Sequence, residues 1–282
     1  MNTALMVALE ELGLNGEPFT ENTPTPPQGA NYLLLENGGK LLLENGDSTL
    51  QESSGVSQFS FGNGLKFDGV DDYVSVNSQT ETGQTKLSIN IWLKDLDQYN
   101  GARIGLRENF SNIWLIVFDS NNEFVIAFRN SSSETYRPVF TAISGKSMIT
   151  VVYDGGQIEG NRIRFYIDGS LKGTSNSAAA SLPNFTNNIE LGGNSDIPVF
   201  GEAIMNEIAI HNNYLLSDSE IEALYNNGGG ADYSETVEQP SHYFKGDIED
   251  GDLVWVDNGT EGVDGVLNNF SSPPAYAVDF NS

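Results

Sequence analysis

The sequence contains no cysteine. Disulfides, thiolate nucleophiles and cysteine-rich zinc sites are therefore excluded, and the redox compartment leaves no trace. Histidine is nearly absent as well, with His211 and His242 the two in 282 residues. No serine sits in the glycine-framed elbow that presents a hydrolase nucleophile, so both histidines read as structural. Basic residues are scarce: 13 Lys and Arg stand against 39 Asp and Glu, a formal net charge of -26. Repulsion at that charge opposes nucleic-acid backbones and anionic membranes, while it favours solubility and cation uptake. No run of 18 apolar residues exists, and the opening MNTALMVALEELG has no basic stretch and meets Glu10 and Glu11 early. Neither membrane insertion nor a cleaved signal peptide is expected, and nucleic acid is not an expected partner.

What is present divides into segments. Leu5, Leu9 and Leu12 share one helical face, and Gly13 is placed to end the turn, which predicts an anchor helix within residues 1–14. A helix of that length is marginal alone in water, so its apolar face is expected to dock on another surface. Pro18, Pro24, Pro26 and Pro27 then make residues 15–30 a semi-rigid linker. Residues 31–54 carry an eight-residue repeat, LLLENGGK followed by LLLENGDS. Asn37-Gly38 and Asn45-Gly46 tolerate the positive φ of hairpin turns, so the repeat reads as strand, turn, strand, turn. Leu33, Leu35, Leu41 and Leu43 leave apolar faces, which points either to assembly or to burial within this chain.

From residue 55 to 230 short strands alternate with turns. In KLSINIWLK, Leu87, Ile89, Ile91 and Leu93 alternate with Ser88, Asn90, Trp92 and Lys94, the period of a strand with one buried face. Two hairpins are expected, turning at Asp119-Ser120-Asn121-Asn122 and at Asp168-Gly169. One helix is expected after NEIAIHNNYLL, opened by a Ser217/Glu220 capping box and stopped at Gly228. The class is mainly β, a sandwich with a short N-terminal helix, a hairpin segment and a small β extension over 231–282.

The stretches LKFDGVDDYVSV, LSINIWLK, IRFYIDGSLKGT, IELGGN and GEAIMNEIAIHNNYLLSDSEIEALYNNGG resemble, in order, the landmarks of concanavalin A-like, laminin G-like jelly-roll domains. The hairpin repeat ahead of them is similar to segments of tailed-phage virion proteins. The resemblance implies a non-enzymatic protein on a virion surface, made in the host cytoplasm. Its N-terminal segment would hold it to other capsid or tail proteins as a homo-oligomer, a trimer by analogy with phage fibres. Host-surface or environmental glycans would be its ligands. A free lectin module is the alternative, and a glycoside hydrolase a weaker one.

Glucanases of that superfamily carry Glu-x-Asp-x-x-Glu on one strand, where both carboxylates reach the groove. Here the stretch NEIAIHN offers only Glu207, so no catalytic residue is expected. Asp68, Asp71 and Asp72 supply hard oxygens for calcium, with Asn206 as a neutral fourth ligand, although Asp and Gly are also the ordinary residues of a tight turn. For sugar stacking the candidates are Trp92, Tyr99, Trp114, Tyr136 and Tyr153, with Trp92 on the face opposite Ile89 and Ile91.

Overall fold

The computed structural model describes residues 32–34, 40–42, 59–77, 83–94, 103–107, 112–119, 123–130, 145–175, 180–182, 188–194, 199–271 and 275–281. The chain forms two units, 1–57 and 58–282. In the first, β1 (Tyr32–Leu34) pairs antiparallel with β2 (Lys40–Leu42), and Leu33 lies opposite Leu41. Leu5, Leu9, Leu12, Leu35 and Leu43 fall outside the described residues.

The second unit opens with β3 (Asn63–Asp68), β4 (Tyr73–Val76), β5 (Lys86–Lys94), β6 (Arg103–Arg107), β7 (Asn112–Asp119) and β8 (Glu123–Asn130). Next come β9 (Ser147–Asp154), β10 (Ile163–Ile167), β11 (Ser170–Thr174), β12 (Ile189–Leu191), β13 (Gly193–Asn194), β14 (Val199–Phe200) and β15 (Glu202–Asn212). Two short helices follow, α1 (Asp218–Tyr225) and α2 (Tyr233–Thr236). The last strands are β16 (His242–Phe244), β17 (Val254–Trp255), β18 (Gly265–Asn268) and β19 (Ala277–Asp279). One sheet runs β11-β10-β9-β5-β15-β3-β19 with β16 also on β15, and the other runs β17-β18-β4-β12-β6-β7-β8. Among the described residues the ladders of these two sheets are antiparallel, and leucine, isoleucine, valine and aromatic side chains from both sheets meet in one core. This is a mainly β, concanavalin A-like sandwich.

β5 shows how the sequence builds it. Leu87, Ile89, Ile91 and Leu93 enter the core between the sheets, as their alternation requires. The opposite face is buried too, because α1 and the segment around α2 lie over it: Trp92, Val152, Tyr166, Ile221, Leu224, Tyr233 and Tyr243 form a second apolar layer. α1 begins with the expected box, in which Ser217 Oγ accepts from the Glu220 amide and Glu220 Oε2 accepts from the Ser217 amide. It ends earlier than expected, at Asn226, whose φ of 45° is left-handed, rather than at Gly228.

The boundary expected at residue 230 is not found. β16 and β19 extend the eight-stranded sheet and β17 and β18 the seven-stranded one, while Phe244, Trp255 and Tyr276 sit in the main core. Residues 231–282 complete the sandwich instead of extending it. Strands this short, separated by aspartate-rich turns, carry no pattern that would tie them to sheets begun at Asn63 and Tyr73.

Candidate functional site

The acidic stretch after β3 is a corner where the chain leaves one sheet for the other, since β3 and β4 belong to different sheets. It is not the hairpin turn that Asp68-Gly69 suggests. Asp68 Oδ1 accepts from the Val70 amide at 2.8 Å and the Asp71 amide at 3.4 Å, and Asp72 Oδ2 accepts from the Asp68 amide at 3.0 Å. One carboxylate oxygen from each of Asp68, Asp71 and Asp72 lies within 4.8 Å of the others. A hard cation spans such a separation, yet two of the three carboxylates already cap the corner's own amides. Burial pushes the Asp72 carboxyl up to about 6, helped by the charges of Asp68 and Asp71 and opposed by the Asp68 amide.

Asn206 does not join this group. It sits four residues beyond Glu202, the register partner of Asp68, and both ends of its amide are engaged: Nδ2 donates to the Phe61 carbonyl at 2.6 Å and Oδ1 accepts from the Glu207 amide at 2.7 Å. It is wholly buried and offers no ligand atom to the corner.

Trp92 is on the predicted face, but that face is closed. The ring is 1% exposed, edge-on to Phe61 at 4.7 Å and stacked on Tyr225 at 6.0 Å, so no side of it is left for a sugar. Tyr153 lies in the core between the sheets. Trp114 is in β7, where its backbone is paired with Leu106 and Phe128. Tyr99 and Tyr136 lie outside the described residues.

The family model of the concanavalin A-like lectin/glucanases superfamily matches residues 68–222, more than half of the chain. The chain belongs to that superfamily. Its fold is similar to that of a Bacteroides ovatus protein assigned to carbohydrate binding, with TM-score 0.57 and 15% identity over 76% of this chain and 60% of that one. It is also similar to a heptameric pentraxin of Limulus polyphemus, with TM-score 0.46 and 14% identity over 58% of this chain and 82% of that one. A sialidase of Trypanosoma rangeli matches with TM-score 0.41 and 16% identity over 60% of this chain and 28% of that one. The chain thus spans less than two thirds of the Bacteroides protein and under a third of the sialidase. No curated protein sequence matches it.

Within this superfamily sandwich, Glu207 occupies an unusual place. The register of β15 on β5 shifts between Asn206 and Ala209, and Glu207 has φ 47°, so an extra residue bulges from the strand. Ala203 and Met205 before the bulge and Ile208 and Ile210 after it therefore all reach the same core, while Asn206 and Glu207 both turn to the outer layer. The bulge lies where β15 exchanges one neighbour for another, with β3 on residues 202–205 and β16 on 208–210 of the same edge. Asn206 holds the approach to β3 through Phe61, and Glu207 holds the end of β16, accepting from the Tyr243 hydroxyl and, at 3.1 Å, from the Gly246 amide. The two segments touch backbone to backbone: a Cβ on Gly246 would lie 1.5 Å from the Phe61 carbonyl oxygen. Burial raises the Glu207 carboxyl to about 7 against the pull of Tyr243, the Gly246 amide and Lys245. The sequence EAIMNEIAI gives no sign of the slip, because Ala203, Ile204 and Met205 before it and Ile208, Ala209 and Ile210 after it are all apolar and show no alternation.

Both histidines are buried. His242 Nδ1 lies 2.8 Å from Asp257 Oδ2, and Asp257 also accepts from the amides of Tyr243, Gly259 and Val263. Burial pushes Asp257 up, but these bonds outweigh it and hold the carboxyl below its ordinary value. The pair clips the C-terminal loops together, and among the described residues nothing is bonded to His242 Nε2. His211 packs beside Tyr214 and Tyr233, and burial lowers it to about 4, which keeps it neutral.

Proposed function

We infer that this chain is a carbohydrate-binding module without catalytic activity. The observation that carries it is the lectin-type sandwich itself, matched over residues 68–222 to a superfamily of lectins and glucanases. The Bacteroides ovatus protein assigned to carbohydrate binding supports the same class of ligand. Glu202 and Glu207 have the outer spacing of Glu-x-Asp-x-x-Glu, but Ile204 stands where the middle acid would be and Glu207 is buried beneath Tyr243, which speaks against the hydrolase alternative. Screening the full chain on a glycan array tests this: retention of one glycan class supports it, and release of reducing sugar from any bound glycan overturns the non-catalytic part.

Residues 1–57 suit attachment. They form a unit of their own, and the sequence supplies an amphipathic leucine face on a proline-rich spacer. The place of display is a phage virion, where Leu5, Leu9 and Leu12 dock on a capsid or tail protein and the leucine hairpin assembles copies into a homo-oligomer. Deleting residues 1–30, or combining Leu5→Asp with Leu9→Asp, is expected to leave a folded sandwich that no longer attaches to particles. Normal attachment of either variant overturns the anchor.

A further inference from the structure

A cavity of about 510 Å³ opens on the outer side of the eight-stranded sheet, between the β10–β11 turn and the last turn of α1. Its volume is within the range of small-ligand sites. Asp168, Ser219, Glu222, Tyr225, Asn226 and Asn227 supply its chemistry. We propose that this cavity is the sugar site of the module and that it takes a neutral, polyhydroxylated unit such as an uncharged hexose. The proposal rests on the carbohydrate-binding function above and gives it a location and a ligand class.

Charge selects the class. The lining holds two carboxylates, Asp168 and Glu222, and no Lys, Arg or His, so an anionic sugar would be repelled. Carboxylates accept from sugar hydroxyls in strong charge-assisted bonds, while asparagine amides and serine hydroxyls both donate and accept, which matches a ring of hydroxyls that do the same. Tyr225 adds an aromatic body, stacked at 6.0 Å on the buried Trp92, so its position is fixed from below.

The walls are held in place before any ligand arrives. Of the six non-glycine residues with positive φ among those described, three line this cavity: Asp168 at 50°, Asn226 at 45° and Asn227 at 53°. Asp168 Oδ1 accepts from the Met148 amide at 2.9 Å, which ties the turn to the neighbouring strand. The Asn226 side-chain amide donates to the Gly230 carbonyl at 2.9 Å, which ties down the helix end. A Cβ on Gly169 would lie 3.2 Å from Tyr225, so the turn and the ring are already in close approach. Backbone held in a sparsely populated region at a cavity wall is preorganisation, and preorganisation reduces the entropy that binding must otherwise overcome.

The test uses the full chain and a panel of neutral mono- and disaccharides beside sialylated and sulfated counterparts, measured by calorimetry. Ala223, exposed on α1 and lining the cavity, is changed to fill it (Ala223→Gln), and Glu222→Ala removes one acceptor. Binding of a neutral sugar that weakens roughly tenfold or more in each variant, at unchanged melting temperature, is the expected result. Sugar binding that both variants leave intact overturns this location while carbohydrate binding itself stands. Preference for the sialylated or sulfated members overturns the neutral class. No binding to any sugar overturns carbohydrate binding as well as the site.

Discussion

The Tyr243 hydroxyl donates to the Glu207 carboxylate at the point where β3 and β16 share one edge of β15. The bond joins the bulge of a strand in the family-matched region to a strand near the end of the chain. It also keeps a carboxyl in a place where ionisation is costly.

Glu207 should therefore make stability fall with rising pH. Its pKa is about 7 in the folded protein and 4.5 as the ordinary value, so the folded state holds the proton more tightly. That contribution is fully present below 4.5 and lost as pH rises through 7, to a total on the order of 3 kcal/mol. Glu207→Gln should flatten the dependence of melting temperature on pH between 5 and 8. Parallel curves for the two proteins would mean that Glu207 is ionised throughout.

The acidic corner should stand without metal. Asp68→Ala removes the acceptor for the Val70 amide and is expected to cost about 1 kcal/mol in chelator-treated protein. Millimolar calcium should leave the wild-type melting temperature unchanged. A rise that Asp71→Asn abolishes would instead make Asp68, Asp71 and Asp72 calcium ligands.

Replacing Trp92 tests its packing role. Trp92→Ala empties a site 1% exposed and should cost about 3–5 kcal/mol, whereas Trp92→Phe keeps an aromatic ring between Phe61 and Tyr225 and should cost less. A Trp92→Ala protein that melts at the wild-type temperature would show that the ring is not part of the core.

Ending the chain after residue 230 should abolish folding. The cut removes β16 to β19 from both sheets and takes Phe244, Trp255 and Tyr276 out of the core. A cooperative thermal transition in residues 1–230 would show that the C-terminal strands are accessory.

The parts of the fold legible in the sequence are those written in local chemistry. The alternation of β5, the Asp168-Gly169 turn with both residues at positive φ, and the capping box of α1 each follow from residues within a few positions of one another. Trp92 was placed on the correct face by period two, but nothing local says that α1 and the segment around Tyr233 cover that face, and so a core residue resembled a sugar platform. The bulge at Glu207 was not legible, because residues 203–205 and 208–210 are apolar at every position and carry no alternation to slip. Its purpose depends on Tyr243 and Gly246, which approach only in the folded chain. The cavity beside α1 is assembled by two turns more than fifty residues apart, and each alone is an ordinary polar turn.

The pairing of β3 with β19, Leu65 opposite Ala277 and Asn63 opposite Asp279, joins strands far apart in the order of synthesis. An early strand waits for a much later one. While the ribosome adds the intervening residues, at roughly 5–20 per second, the edge of β3 that β19 will cover stays open to any other extended segment. Closure is then a contact between distant parts of the chain, the slow kind of step in β proteins. Synthesis rate and the crowding of sister chains on one message should therefore govern the yield of soluble protein more than the stability of the finished sandwich does.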